Sequence, residues 1–151
     1  MRLVTLALIA MSAGFAAAPD FTGSWKLNLA KSDFGQFPAP SSMTQKISHA
    51  EPKLTVGVKM ASDQGEFEFT SNFTTDGKEC TNPGLGGSEL KSVAKWDGEN
   101  LAIDSKGSFG DNAFTMKDKW TLSEGGKVLT ILRHFSSAMG DLDQRMVFEK
   151  Q

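Results

Sequence analysis

Along most of the chain, apolar and polar residues take turns. In Phe21-Thr22-Gly23-Ser24-Trp25-Lys26-Leu27-Asn28-Leu29, Trp25, Leu27 and Leu29 share one side, and Ser24, Lys26 and Asn28 share the other. A period of two belongs to a strand with one face in a core and one in water. The alternation returns in Met43–Ala50 and in Lys53–Met60, where Leu54, Val56, Val58 and Met60 oppose Lys53, Thr55 and Lys59. In Glu66–Thr74 it puts Phe67, Phe69, Ser71 and Phe73 on one face. Lys78–Asn82, Glu89–Trp96, Leu101–Ser105, Ala113–Leu122, Val128–Phe135 and Leu142–Lys150 complete a predicted set of about ten strands. Between them stand Glu51-Pro52, Asp63-Gln64-Gly65, Asp76-Gly77, Asp97-Gly98 and Gly125-Gly126, with looser loops over 83–88, 107–112 and 136–141. Short strands joined by Asp-Gly and Gly-Gly turns make an antiparallel meander. Gly23, just before Trp25, is expected to let the chain pass close under the indole at the closed end of a small barrel.

Ten strands with one apolar face each must close on themselves or stack as two sheets. Consecutive hairpins favour closure, so the expected fold is all-β: an antiparallel up-and-down β-barrel of about 8–10 strands. An interior of that width tends to hold a ligand or water. A two-sheet sandwich is the alternative, although the paired Cys and Trp of an immunoglobulin domain are absent. The longest irregular stretch, Ala30–Ser42, has two prolines and a glycine. It reads as a loop with one helical turn at Lys31–Phe34, and Phe34 and Phe37 are placed to plug an end of the core or to sit at a mouth.

One register follows from a turn. Gly125-Gly126 as a two-residue loop pairs Glu124 with Lys127, since glycine accepts positive φ at both places. Leu122 then faces Leu129, Trp120 faces Ile131, Asp118 faces Arg133 and Met116 faces Phe135, all on the core side. The outer side pairs Thr121 with Thr130, Lys119 with Leu132 and Lys117 with His134. If Phe135 faces Leu142 across the next turn, Gln144 lies beside Arg133, Met146 beside Ile131 and Phe148 beside Leu129. Asp118, Arg133 and Gln144 thus form a polar trio in an apolar wall. Buried charges are costly unless paired. The trio is either a network satisfied by itself and trapped water, or an anchor for the polar or anionic head of a ligand, with arginine as the forked donor. By the same method, Asp76-Gly77 as a two-residue loop pairs Phe73 with Cys80 and turns the thiol inward as a small buried side chain.

Composition changes the picture at the N-terminus. Met1-Arg2, the apolar run Leu3–Phe15 and Ala16-Ala17-Ala18 have the order of a secretory signal peptide cleaved after Ala18, with a run too short to span a bilayer. Residues 1–18 are read as the leader and 19–151 as one domain, secreted or periplasmic, with no membrane span in the mature chain. Removing Arg2 from the 16 basic residues leaves 15 against 18 acidic, a net charge of −3 with the signs interspersed. No basic face for nucleic acid results. The single cysteine forbids an internal disulfide. The two histidines are far apart and read as surface residues, and no His or Cys cluster suits a metal. Neither a nucleophile motif nor a phosphate loop appears, so no catalytic residue, metal or cofactor is expected. Asn72-Phe73-Thr74 matches a glycosylation sequon but lies mid-strand.

The opening Phe21-Thr22-Gly23-Ser24-Trp25-Lys26-Leu27 resembles the first strand of the calycins, the lipocalins and intracellular fatty-acid-binding proteins. The closing Met146-Val147-Phe148-Glu149-Lys150 is similar to the last strand of the fatty-acid-binding branch. The mature chain also resembles small secreted lipocalin-like proteins of bacteria. The resemblance implies a barrel with an apolar internal pocket. Two departures accompany it. That branch has a helix–turn–helix lid after its first strand, and Ala30–Ser42 is too short and proline-rich for one, so no helical lid is expected. The branch also places an arginine and a tyrosine, two apart, on the last strand to take a carboxylate; Met146 and Phe148 stand there instead.

Two functions from different classes follow. The first is a binding protein for a small hydrophobic or amphipathic molecule held inside the barrel, with Trp120, Ile131, Met146, Phe67 and Phe69 as its apolar lining and Arg133, Asp118 and Gln144 as its polar end. The second is an interaction module, in which the barrel is a scaffold and the loops at 30–42 and 83–88 meet a protein or envelope partner through Phe34, Phe37 and Leu85. An enzyme ranks below both.

Overall fold

The computed structural model describes residues 18–151, and of Leu85 the backbone alone. The expected leader lies outside the described residues except for Ala18. Ten antiparallel strands follow one another: β1 (Gly23–Leu27), β2 (Ser42–Ala50), β3 (Lys53–Ser62), β4 (Gly65–Thr74), β5 (Asp76–Pro83), β6 (Glu89–Asp97), β7 (Asn100–Phe109), β8 (Asn112–Ser123), β9 (Val128–Ser137) and β10 (Gly140–Lys150). The order β4-β3-β2-β1-β10-β9-β8-β7-β6-β5 is a meander whose first and last strands close the ring, β1 pairing with both β2 and β10. The barrel is nearly complete, because β4 and β5 lie side by side without a ladder. Helical structure among the described residues is limited to three-residue 3-10 turns, so there is no helical lid.

Meander topology gives the barrel two distinct ends. The lower end carries the tight connections at 51–52, 98–99 and 124–127. It is stoppered by Phe21, fully buried, whose ring stacks on Trp96 at 5.9 Å and meets Trp120 edge-on at 5.5 Å. Trp25 is also fully buried and donates its indole N–H to the Phe21 carbonyl at 2.9 Å. The Lys150 ammonium lies 5.6 Å over the Trp25 ring. At Gly23, with φ of 147°, a Cβ would stand 2.8 Å from the Lys150 side chain. What the glycine admits is therefore the lysine that covers the indole, not the indole itself.

The β8–β9–β10 register matches the sequence reading at every rung: Trp120↔Ile131, Asp118↔Arg133, Lys117↔His134, Arg133↔Gln144 and Ile131↔Met146 among them. The turn differs. Glu124–Gly126 forms a 3-10 turn with positive φ at all three residues, and the ladder ends at Ser123↔Val128. One residue is added to the loop on each side of the expected break, which leaves the pairing sum unchanged.

Three expectations are corrected. Cys80 does not face Phe73. The Thr75 N–H bonds to the Pro52 carbonyl at 2.8 Å, β5 leaves β4 and pairs with β6 after a bulge between Asp76 and Glu79, and Cys80 comes opposite Ser92. Its thiol is only half-buried, 3.5 Å from the Thr74 hydroxyl. The helical turn after β1 falls at Leu29–Lys31, two residues early, because the Asn28 side chain caps it by accepting the Lys31 N–H. His49 is no surface residue. Its side chain is 2% exposed, accepts the Phe21 N–H on Nδ1 at 3.2 Å, and bonds through Nε2 to Glu51 at 2.6 Å. A buried imidazole needs partners for both nitrogens, and these two supply them.

Candidate functional site

The inner wall has two zones. Below mid-height the side chains pack into one core, with Leu54, Leu101, Leu129, Ile131 and Phe148 almost wholly buried. Toward the upper end most residues on the same inward face stay partly accessible, Phe114 excepted, which is buried and stacks on Phe109 and Phe135. Met43, Met60, Met116, Phe135 and Leu142 are half-buried. Phe67 and Phe69, which oppose Met60 and Val58 across the β3–β4 ladder, are each 43% exposed. Apolar side chains on the inward phase thus remain accessible at this end.

Arg133 and Asp118 mark the boundary. They are direct cross-strand partners on β9 and β8, the next inward-facing pair above Trp120 and Ile131. Arg133 donates Nε to Asp118 Oδ1 at 2.8 Å and Nη2 to Asp118 Oδ2 at 2.7 Å. This side-on fork is the strong geometry for an arginine and a carboxylate. The Arg133 side chain is 29% exposed and that of Asp118 10%, so the pair is neither surface decoration nor sealed. Burial works to lower the Arg133 pKa, but the Asp118 carboxylate and its hydrogen bonds outweigh it and hold the guanidinium above its ordinary value. The arginine stays charged, with Nη1 outside the fork. Gln144, opposite Arg133 on β10, donates Nε2 to the Phe34 carbonyl at 3.3 Å. That bond ties the β1–β2 connection to the inner wall, as does the bridge of Asp33 with Arg145. Phe34 then packs on the core and the exposed Phe37 meets Phe135 edge-on at 6.1 Å.

The predicted site residues thus separate by zone. Arg133, Asp118 and Gln144 come together as one polar level. Trp120, Ile131 and Met146, expected to line a pocket with them, lie at the next inward-facing level below and are packed into the core, each at most 4% exposed. Phe67 and Phe69 belong to the accessible part. Sequence reading missed one polar residue of the interior. Gln45, on β2 opposite Trp25, is 8% exposed, and its Oε1 has no hydrogen-bond partner in the chain. The same is true of the buried Trp120 Nε1. Gln45 was legible in principle: it is the polar residue in the inward phase of Met43, Gln45 and Ile47.

A groove of about 420 Å³ between strands β8–β10 and the β1–β2 connection takes in Arg133 and Gln144 together with Lys117, Leu132, His134 and Asp143. His134 bonds to Asp143 at 2.6 Å, an exposed pair of the kind worth little by itself.

No protein-family model and no curated protein matches the sequence. Solved structures do match in fold. The zebrafish ileal bile acid-binding protein in complex with cholic acid superposes with a TM-score of 0.61 at 18% identity, covering 87% of this chain and 98% of that one. Lipid binding protein 8 of Caenorhabditis elegans gives 0.62 at 12% identity, over 87% and 95%. Secretory abundant heat soluble protein 4 of Ramazzottius varieornatus gives 0.59 at 18% identity, over 91% and 98%. The chain therefore shares the fold of these proteins, here a ten-stranded antiparallel barrel.

Proposed function

We propose that this protein is a binding protein that takes a small hydrophobic or amphipathic molecule into the upper half of its barrel. The observation that carries the reading is an accessible apolar wall with a charged pair on the same inner face: Phe67 and Phe69 on the inward phase yet exposed, and a forked Arg133–Asp118 pair. Ligand sites are mostly apolar with a few placed polar groups. Relatives in fold include the bile acid-binding protein complexed with cholic acid and a fatty acid binding protein of Schistosoma mansoni in complex with arachidonic acid. The lining is moved upward from the sequence reading. Arg133, Asp118 and Gln144 form the polar floor, Phe67 and Phe69 belong to the wall, and Trp120, Ile131 and Met146 support the floor from below.

With the leader read as a signal peptide, the proposed location is secreted or periplasmic; a mature N-terminus at Pro19 in the exported fraction tests it. The proposed role is binding, which the ligand complexes among the neighbours in fold support. An interaction role through the upper loops has one observation in its favour, the exposed Phe37, Phe109 and Met139 at that end. Phe34 is not part of such a patch, because it packs on the core. Native mass spectrometry of protein purified from its own host tests the binding role. A co-purified small molecule, lost on Phe67→Ser with Phe69→Ser, is the expected result; a bare chain that also fails to bind an apolar dye refutes it.

A further inference from the structure

We propose that the molecule this barrel takes carries an uncharged hydrogen-bonding head, an alcohol or a primary amide, in preference to an ionised carboxylate; the inference rests on the binding role above. Arg133 is the cation at the floor of the accessible zone, and its charge is already cancelled by Asp118 through two bonds of 2.8 and 2.7 Å. A carboxylate brought to the remaining Nη1 would place a second negative charge beside the first. Like charges sharing a partly buried site disfavour the ionised form of one of them. The desolvation that a carboxylate must undergo has no unspent cation to offset it. Met146 and Phe148 further along β10 offer no donor either.

The polar atoms left over point the same way. Arg133 Nη1 is a donor outside the fork, and Gln144 Oε1 is an acceptor outside the bond its Nε2 makes to Phe34. Donors and acceptors are both on offer, and only a head that does both satisfies them. A hydroxyl donates and accepts, and so does a primary amide. An ionised carboxylate accepts only, and would set its oxygens against that of Gln144. Above this level the wall is apolar, which places the head at the floor and the tail toward the rim.

The test is displacement of Nile red, an uncharged dye, from the purified protein at pH 8 by dodecan-1-ol, dodecanamide and dodecanoate. The alcohol and the amide should bind at least tenfold more tightly than the carboxylate. Asp118→Asn frees the guanidinium, and should raise the affinity for dodecanoate relative to dodecan-1-ol at least tenfold. Dodecanoate as tight as the alcohol in the unaltered protein overturns the inference, and so does a folded Asp118→Asn protein with an unchanged ratio. If the variant does not fold, a pH series on the unaltered protein decides. Dodecanoate affinity should rise as the pH falls from 8 to 5 and the acid takes up its proton, with the alcohol flat; a flat dodecanoate profile overturns the proposal. Nile red bound but displaced by none of the three sinks this inference alone, whereas no binding of the dye sinks the binding role with it.

Discussion

The Asn82 carboxamide, 3% exposed on β5, accepts the Asn72 N–H at 2.7 Å and donates to the Asn72 carbonyl at 3.0 Å. A side chain thus stands in for one backbone rung at the place where β4 and β5 have none, which matters because buried backbone groups need partners. Asn82→Ala should cost about 1–3 kcal/mol, the usual penalty for a stranded backbone pair, read as a lower urea midpoint with an unchanged slope. Glu51 is a second residue of this kind. Burial would raise its carboxyl, but bonds from Thr75 at 2.7 Å, from His49 and from Trp96 hold it below the ordinary value. A lowered folded pKa gives stability that is complete above the unfolded value and drains as the pH falls through the folded one. Glu51→Gln should therefore lower stability at neutral pH and flatten its decline toward acid, as followed by thermal melts between pH 7 and 3.

Strands β8, β9 and β10 were legible because each alternates without a break and the turns between them preserve the pairing sum. Even the wrong loop size at Gly125-Gly126 left Asp118 opposite Arg133. Strands β4 and β5 were not legible. Their Asp76-Gly77 looks like any hairpin turn, yet the choice between a ladder and a seam is made elsewhere, by the Thr75 N–H bonding Pro52 and by the bulge that turns β5 toward β6. No local pattern reports such long-range competition. The polar trio was found by register alone, while the depth at which packing stops, which decides that Trp120 supports and Phe67 lines, depends on how the wall flares. In hydrogen exchange, amides of β5 that face β4 should open well before those of the β8–β9 ladder; equal protection on both would mean that the seam is as firm as the rest of the wall.

The molecule as a whole divides its labour by height. The lower half supplies stability: Leu54→Ala, at a fully buried position, should cost about 2–5 kcal/mol. The upper half has little packing to lose, so Phe67→Ser should leave the melting temperature within a few degrees while weakening Nile red binding several-fold. From the Arg133 rung to Ser137 at the rim is four residues of β9, about 14 Å of extended strand. The floor is consequently a depth gauge. In a series of straight-chain alcohols, affinity should climb by about 0.8 kcal/mol for each carbon that is still swallowed, then level off once the tail reaches the brim, because further methylenes stay wet.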